Sequence, residues 1–137
     1  MREAAWAPVL VFVAHAIGAR FFGHEPYVDP VMHFLGGAAT AFFVYRVCRI
    51  GGGLIGAPSI LVVDLLAVGL TCAVALAWEL GELVSDVTLG TRAHTSVANT
   101  LRDLLLGAVG AVATAGASHL LPSGGEGVSA RDTGERE

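Results

Sequence analysis

Apolar residues fall along this chain in four long blocks divided by short polar breaks. The blocks cover residues 4–22, 31–47, 59–84 and 98–121. Each is close to the roughly 20 residues that an α-helix needs to cross the hydrocarbon core of a bilayer. Gly and Ala are frequent inside them, as expected where helices approach closely in lipid. The pattern therefore predicts an all-α protein: an integral membrane, antiparallel four-helix bundle occupying residues 1–121.

The breaks support the same boundaries. "GHEPYVDP" (23–30), "RIGGGLIGAP" (49–58) and "VTLGTRAHTS" (87–96) are short and carry turn-forming residues. Asp29 followed by Pro30 reads as an N-cap acid and a first-turn proline opening the second helix. Ser96 is placed to cap the fourth. The first block carries His15 and Arg20 and has no small-x-small cleavage site, so it reads as a retained helix rather than a signal peptide. After Leu121 the sequence "PSGGEGVSARDTGERE" is rich in Gly, Ser and charge. Such a segment cannot bury enough apolar surface to order itself, so 122–137 is expected to be a disordered polar tail.

Composition strengthens the membrane reading. Hydrophobic residues make up 54% of the chain and charged residues only 15%, with a mean hydropathy of +0.67. Soluble domains carry about 25% charged residues. The net charge is -4, and no basic run points to nucleic acid. The bilayer is thus the expected partner. Cys48 and Cys72 lie in apolar segments without metal-ligand spacing and read as small core residues. With the N-terminus inside, five arginines (2, 46, 49, 131, 136) fall on the cytoplasmic side and three (20, 92, 102) outside. That bias favours both termini in the cytoplasm.

Against this background "WELGELVSD" (78–86) is out of place. Glu79, Glu82 and Asp86 end the most apolar block, at spacings that share one side of a helix. An acid at the centre of a membrane helix costs about 2.5–3.5 kcal/mol on insertion scales. In an antiparallel bundle the ends of odd helices and the starts of even helices share one membrane face. His33, Asn99 and Asp103 therefore fall in the same leaflet as Glu79 and Glu82, the outer one by the arginine bias.

His33, Glu79, Glu82, Asp103 and Asn99 form the candidate buried polar site, with Asp29, Asp86 and Arg102 as secondary candidates. Oxygen ligands with one imidazole suit Mg²⁺, Mn²⁺ or Zn²⁺, so His33, Glu79, Glu82 and Asp103 are a candidate divalent-metal set. By contrast, Asp64, His15 and His119 read as structural or water-facing residues.

Three motifs carry a family likeness. "VDPVMHFLGG" (28–37), "WELGE" (78–82) and "NTLRDLLLGAVGA" (99–111) resemble the YjdF-like inner-membrane proteins (DUF2238) and, more distantly, the VanZ-like membrane proteins. The resemblance implies a bacterial inner-membrane protein and implicates Asp29, His33, Glu79, Glu82 and Asp103. Two positions depart from the pattern: Asn99 stands where an Asp is usual, and Gly107 where an Asn is.

Three functions remain open at this level. One is a metal- or ligand-binding or catalytic site for a lipid-linked or small-molecule ligand in envelope or lipid metabolism. Another is proton- or cation-coupled transport by a homo-oligomer. The third is a non-catalytic scaffold whose polar cluster holds the helices together.

Overall fold

The computed structural model describes residues 2–22, 28–56, 58–93 and 96–120. It contains four α-helices: α1 (Arg2–Phe22), α2 (Val28–Ile55), α3 (Ile60–Leu89) and α4 (Val97–Leu120). The tail at 122–137 lies outside the described residues. Among the described residues, three helical stretches are long and apolar enough to cross a membrane: Val28–Gly52 of α2, α3 and α4. Of α1, 21 residues long, the described apolar stretch is Ala5–His15, and it lies alongside α2. Trp6 stacks edge-on against Phe42, and His15 against His33, so the two helices run antiparallel side by side.

Two boundaries depart from expectation. α2 continues to Ile55 rather than Val47, through the glycines of 51–53, and α3 continues to Leu89 rather than Val84. Glycine costs a helix about 1 kcal/mol in water, but in lipid an unbonded backbone is costlier still, so the helix runs on. α2 also begins at Val28, which places Asp29 inside the first turn rather than at the cap. Ser96 does cap α4, its Oγ accepting from Asn99 N at 3.1 Å, and Ser59 caps α3 through Val62 N. Gly90 ends α3 with φ +67°, the left-handed conformation that glycine adopts without strain.

The closest pairing in the bundle is not between successive helices. α2 is central and packs on α1, α3 and α4, and its tightest partner is α4. These two run parallel. Asp29 lies opposite Arg102, Gly37 opposite Gly107, and the Thr114 hydroxyl donates to Ala38 O at 3.3 Å. The core is made of small residues: Ala41, Ala67 and Ala111 are fully buried, with Val44 beside them. On α3 the buried stripe is Val63, Ala67, Thr71 and Glu79. Cys72, expected on the inner face, is exposed.

At the end remote from the acidic motif, Asp64 joins three helices. Its carboxylate accepts from the Tyr45 hydroxyl of α2 and lies 2.9 Å from His119 Nε2 of α4. The expectation of a merely water-facing Asp64 is therefore replaced by a cross-helix tie. Hydrogen bonds between membrane helices contribute about 0.6 kcal/mol on average and up to about 1.7. Asp64→Ala removes two such links, so it is expected to cost about 1–2 kcal/mol. Tyr45→Phe is expected to cost less, and thermal melts in detergent check both.

Candidate functional site

The acidic end of α3 meets the starts of α2 and α4 about 15 Å below the tip of α3, given a rise of about 1.5 Å per residue. Because α3 runs opposite to α2 and α4, Glu79 enters beside residues close to the beginnings of those helices. His33 stands one turn after Asp29 on α2, and the two side chains share a face. His33 Nε2 lies 3.5 Å from Asp29 Oδ1 and 3.6 Å from Glu79 Oε1. The side chains of His33 and Glu79 are only 8% and 4% exposed. Yet neither Nε2 nor Oε1 has a hydrogen-bond partner.

Asp103 is fully buried on the inner face of α4. Its Oδ2 accepts from Asn99 Nδ2 at 2.6 Å and its Oδ1 from Arg102 Nε at 3.0 Å. Arg102 also donates to Asn99 Oδ1 at 2.6 Å and reaches Asp29 Oδ2 at 3.8 Å. This half-exposed arginine thus partly neutralises Asp29 and Asp103 from the rim. It does not serve Glu79 or Glu82 in the described ion pairs.

Glu82 stands one turn beyond Glu79 and accepts from Trp78 Nε1 at 2.8 Å. The same indole meets His15 of α1 edge-on, with ring centroids 4.9 Å apart. Two sets of side chains bring potential ligand atoms within 4.8 Å of one another: Asp29, His33 and Asp103, and His15, Asp29 and Glu82. Asp29 belongs to both.

His33, Glu79, Glu82, Asp103 and Asn99 thus converge with Asp29 and Arg102. Asp86 lies apart. It accepts from the Thr91 hydroxyl and from Ala93 N at 2.9 Å, and so ties down the α3–α4 connection. The side chain of Arg20, and His24 and His94, lie outside the described residues. The sequence alone gives His15 a structural role and gives Trp78 none at the site. A lone histidine on an apolar helix carries no signal of its own, since only the antiparallel packing of α1 on α2 brings it to the cluster. Trp78 was legible in hindsight, because it lies four residues before Glu82 and so on the same helix face.

Long apolar helices, a small-residue core and ionisable side chains held below one membrane face define an α-helical integral membrane protein with a buried polar site. More particularly, the chain belongs to the family described as predicted membrane protein (DUF2238), whose model matches residues 2–122. This is the nearer of the two likenesses carried by the sequence motifs. The more distant one, to VanZ-like proteins, is not shown. No curated protein and no solved structure matches the chain.

Proposed function

We propose that the protein binds a divalent cation in the membrane at His33, with Asp29 and Asp103 as carboxylate ligands and Glu79 facing the same nitrogen from α3. The observation that carries this reading is the pair of buried atoms His33 Nε2 and Glu79 Oε1, which lie 3.6 Å apart with no hydrogen-bond partner. The two lie within ion-pair reach of each other, yet neither makes a hydrogen bond, and a buried group without one costs about 1–3 kcal/mol, so both retain capacity for a third party. Their separation is too long for a hydrogen bond. It is close to the roughly 3.4 Å between neighbouring ligands on a tetrahedral ion with bonds of about 2.1 Å. One imidazole among carboxylates suits zinc or manganese. Such an ion supplies a Lewis acid and a docking point for an anionic ligand. The arginine bias supports a site towards the outer face with both termini cytoplasmic, and the family resemblance supports a bacterial inner membrane.

Metal analysis of the purified chain tests the reading. After chelation and reloading with zinc or manganese, the protein is expected to retain about one ion per chain. His33→Ala should lose it, whereas Cys72→Ser, which removes an exposed thiol, should not. Equal and negligible metal in the wild type and His33→Ala would sink the cation site.

A further inference from the structure

A cavity of about 350 Å³ opens beside the polar cluster, between α1 and α3 and floored by α2. That volume is within the range of about 300–1,000 Å³ typical of ligand sites. It exists because α1 makes no close backbone approach to α3 among the described residues and meets it through side chains, Phe12 and His15 against Trp78. Small residues form the floor: Gly36 and Gly37 of α2, with Gly107 of α4 behind them. Val9 and Phe12 of α1 and Val74 of α3 line the walls and are exposed, so the cavity is a groove open to its surroundings. The hydroxyls of Thr40 and Thr71, also in the lining, donate to the carbonyls of Gly36 and Ala67 at 2.8 Å. They have no donor left to offer a ligand.

The groove is therefore apolar along its length and polar at one end, where His15, His33 and Trp78 stand. From Pro8 to His15 it runs about 10 Å along α1. Its mouth lies between two helices of a membrane bundle, where the solvent is hydrocarbon. Along its apolar walls water finds few polar partners, and the acyl chains of the bilayer reach the mouth from the side. We infer that this groove holds the hydrocarbon chain of a membrane amphiphile whose phosphate headgroup docks at the polar end, where His33 is the residue of the proposed cation site that lines the cavity. The headgroup half of this inference rests on the cation site proposed above, because the carboxylates would repel an anion on their own. The chain half rests on the groove alone.

Native mass spectrometry of the full chain, zinc-loaded in detergent and titrated with dioleoyl phosphatidate, tests both halves. The wild type is expected to hold one phosphatidate. Val74→Trp and Val9→Trp, which fill the groove from exposed wall positions, should weaken binding at least tenfold and leave zinc content unchanged. Dioleoylglycerol, which lacks the phosphate, should bind at least tenfold more weakly, and inorganic phosphate should not displace the lipid. Equal phosphatidate binding by the wild type and both groove variants would overturn the inference, since it would mean only nonspecific surrounding lipid. Equal binding of phosphatidate and dioleoylglycerol would overturn its headgroup half. If the wild type holds no zinc but the groove variants still lose phosphatidate, the cation reading falls and the chain-binding groove stands.

Discussion

Gly37→Leu is expected to prevent α2 and α4 from packing as a pair, giving a protein that aggregates or elutes as a broad distribution from detergent. A Cβ built on Gly37 would fall 2.0 Å from Gly107 O and 2.7 Å from its carbonyl carbon. On the neighbouring turn, a Cβ at Gly110 would fall 2.2 Å from Phe34 O. These obstacles are backbone atoms, so no rotamer change relieves the clash and the helices must separate. Ordinary overpacking of a core costs about 1–3 kcal/mol. Moving a backbone also opens the Thr114–Ala38 bond and strips contacts from Ala41 and Ala111, so the cost here should exceed that range. Gly69→Leu is the control: nothing lies within 4 Å of its Cβ position, and it should leave the elution profile and melting temperature nearly unchanged. Size-exclusion chromatography with thermal melts of the two variants separates a packing effect from a general dislike of leucine.

Glu79→Gln is expected to act with opposite signs in the presence and absence of metal. Without metal, Oε1 of Glu79 is a buried carboxylate oxygen with no hydrogen-bond partner, in a site that also holds Asp29 and Asp103. Replacing it with an amide of the same shape gives up the 3.6 Å ion pair with His33 but removes one of three acids that share this site, and the relief of that repulsion should raise stability by about 1 kcal/mol. With zinc at a hundredfold excess over its dissociation constant, a protein that binds the ion only when folded gains about 2.7 kcal/mol. The wild type should show that gain, and Glu79→Gln should show little of it. Paired thermal melts with a chelator and with zinc measure both arms. If the cluster serves only to hold the helices together, Glu79→Gln lowers the melting temperature in the chelator and zinc shifts neither protein.

The parts legible in the sequence were those set by local chemistry and by the bilayer. Block lengths and hydropathy are enough to predict helices, since a chain in hydrocarbon must satisfy its backbone internally. Alternation of direction is enough to gather Glu79, Glu82, His33, Asn99 and Asp103 on one face, and they do converge. Helix ends were less legible at 47–55, where glycines read as a turn by the rules of water. Asp86 has the right spacing for the site but serves the α3–α4 connection, because it lies two turns beyond Glu79, where the chain is already leaving the bundle.

By itself, then, the sequence determined the class of protein, the membrane setting and the end of the bundle at which its ionisable residues meet. Tertiary structure decided which of them face one another. It paired α2 with α4 in parallel, through glycines whose missing side chains let two backbones touch, and so set Asp103 beside Asp29 and His33. It also laid the α1 backbone against α2 and away from that of α3, which brought His15 to the cluster and left a groove between α1 and α3. Periodicity reports which face of a helix is small or polar. It does not report which neighbour that face meets, because in lipid several pairings bury small residues equally and only close steric fit selects among them.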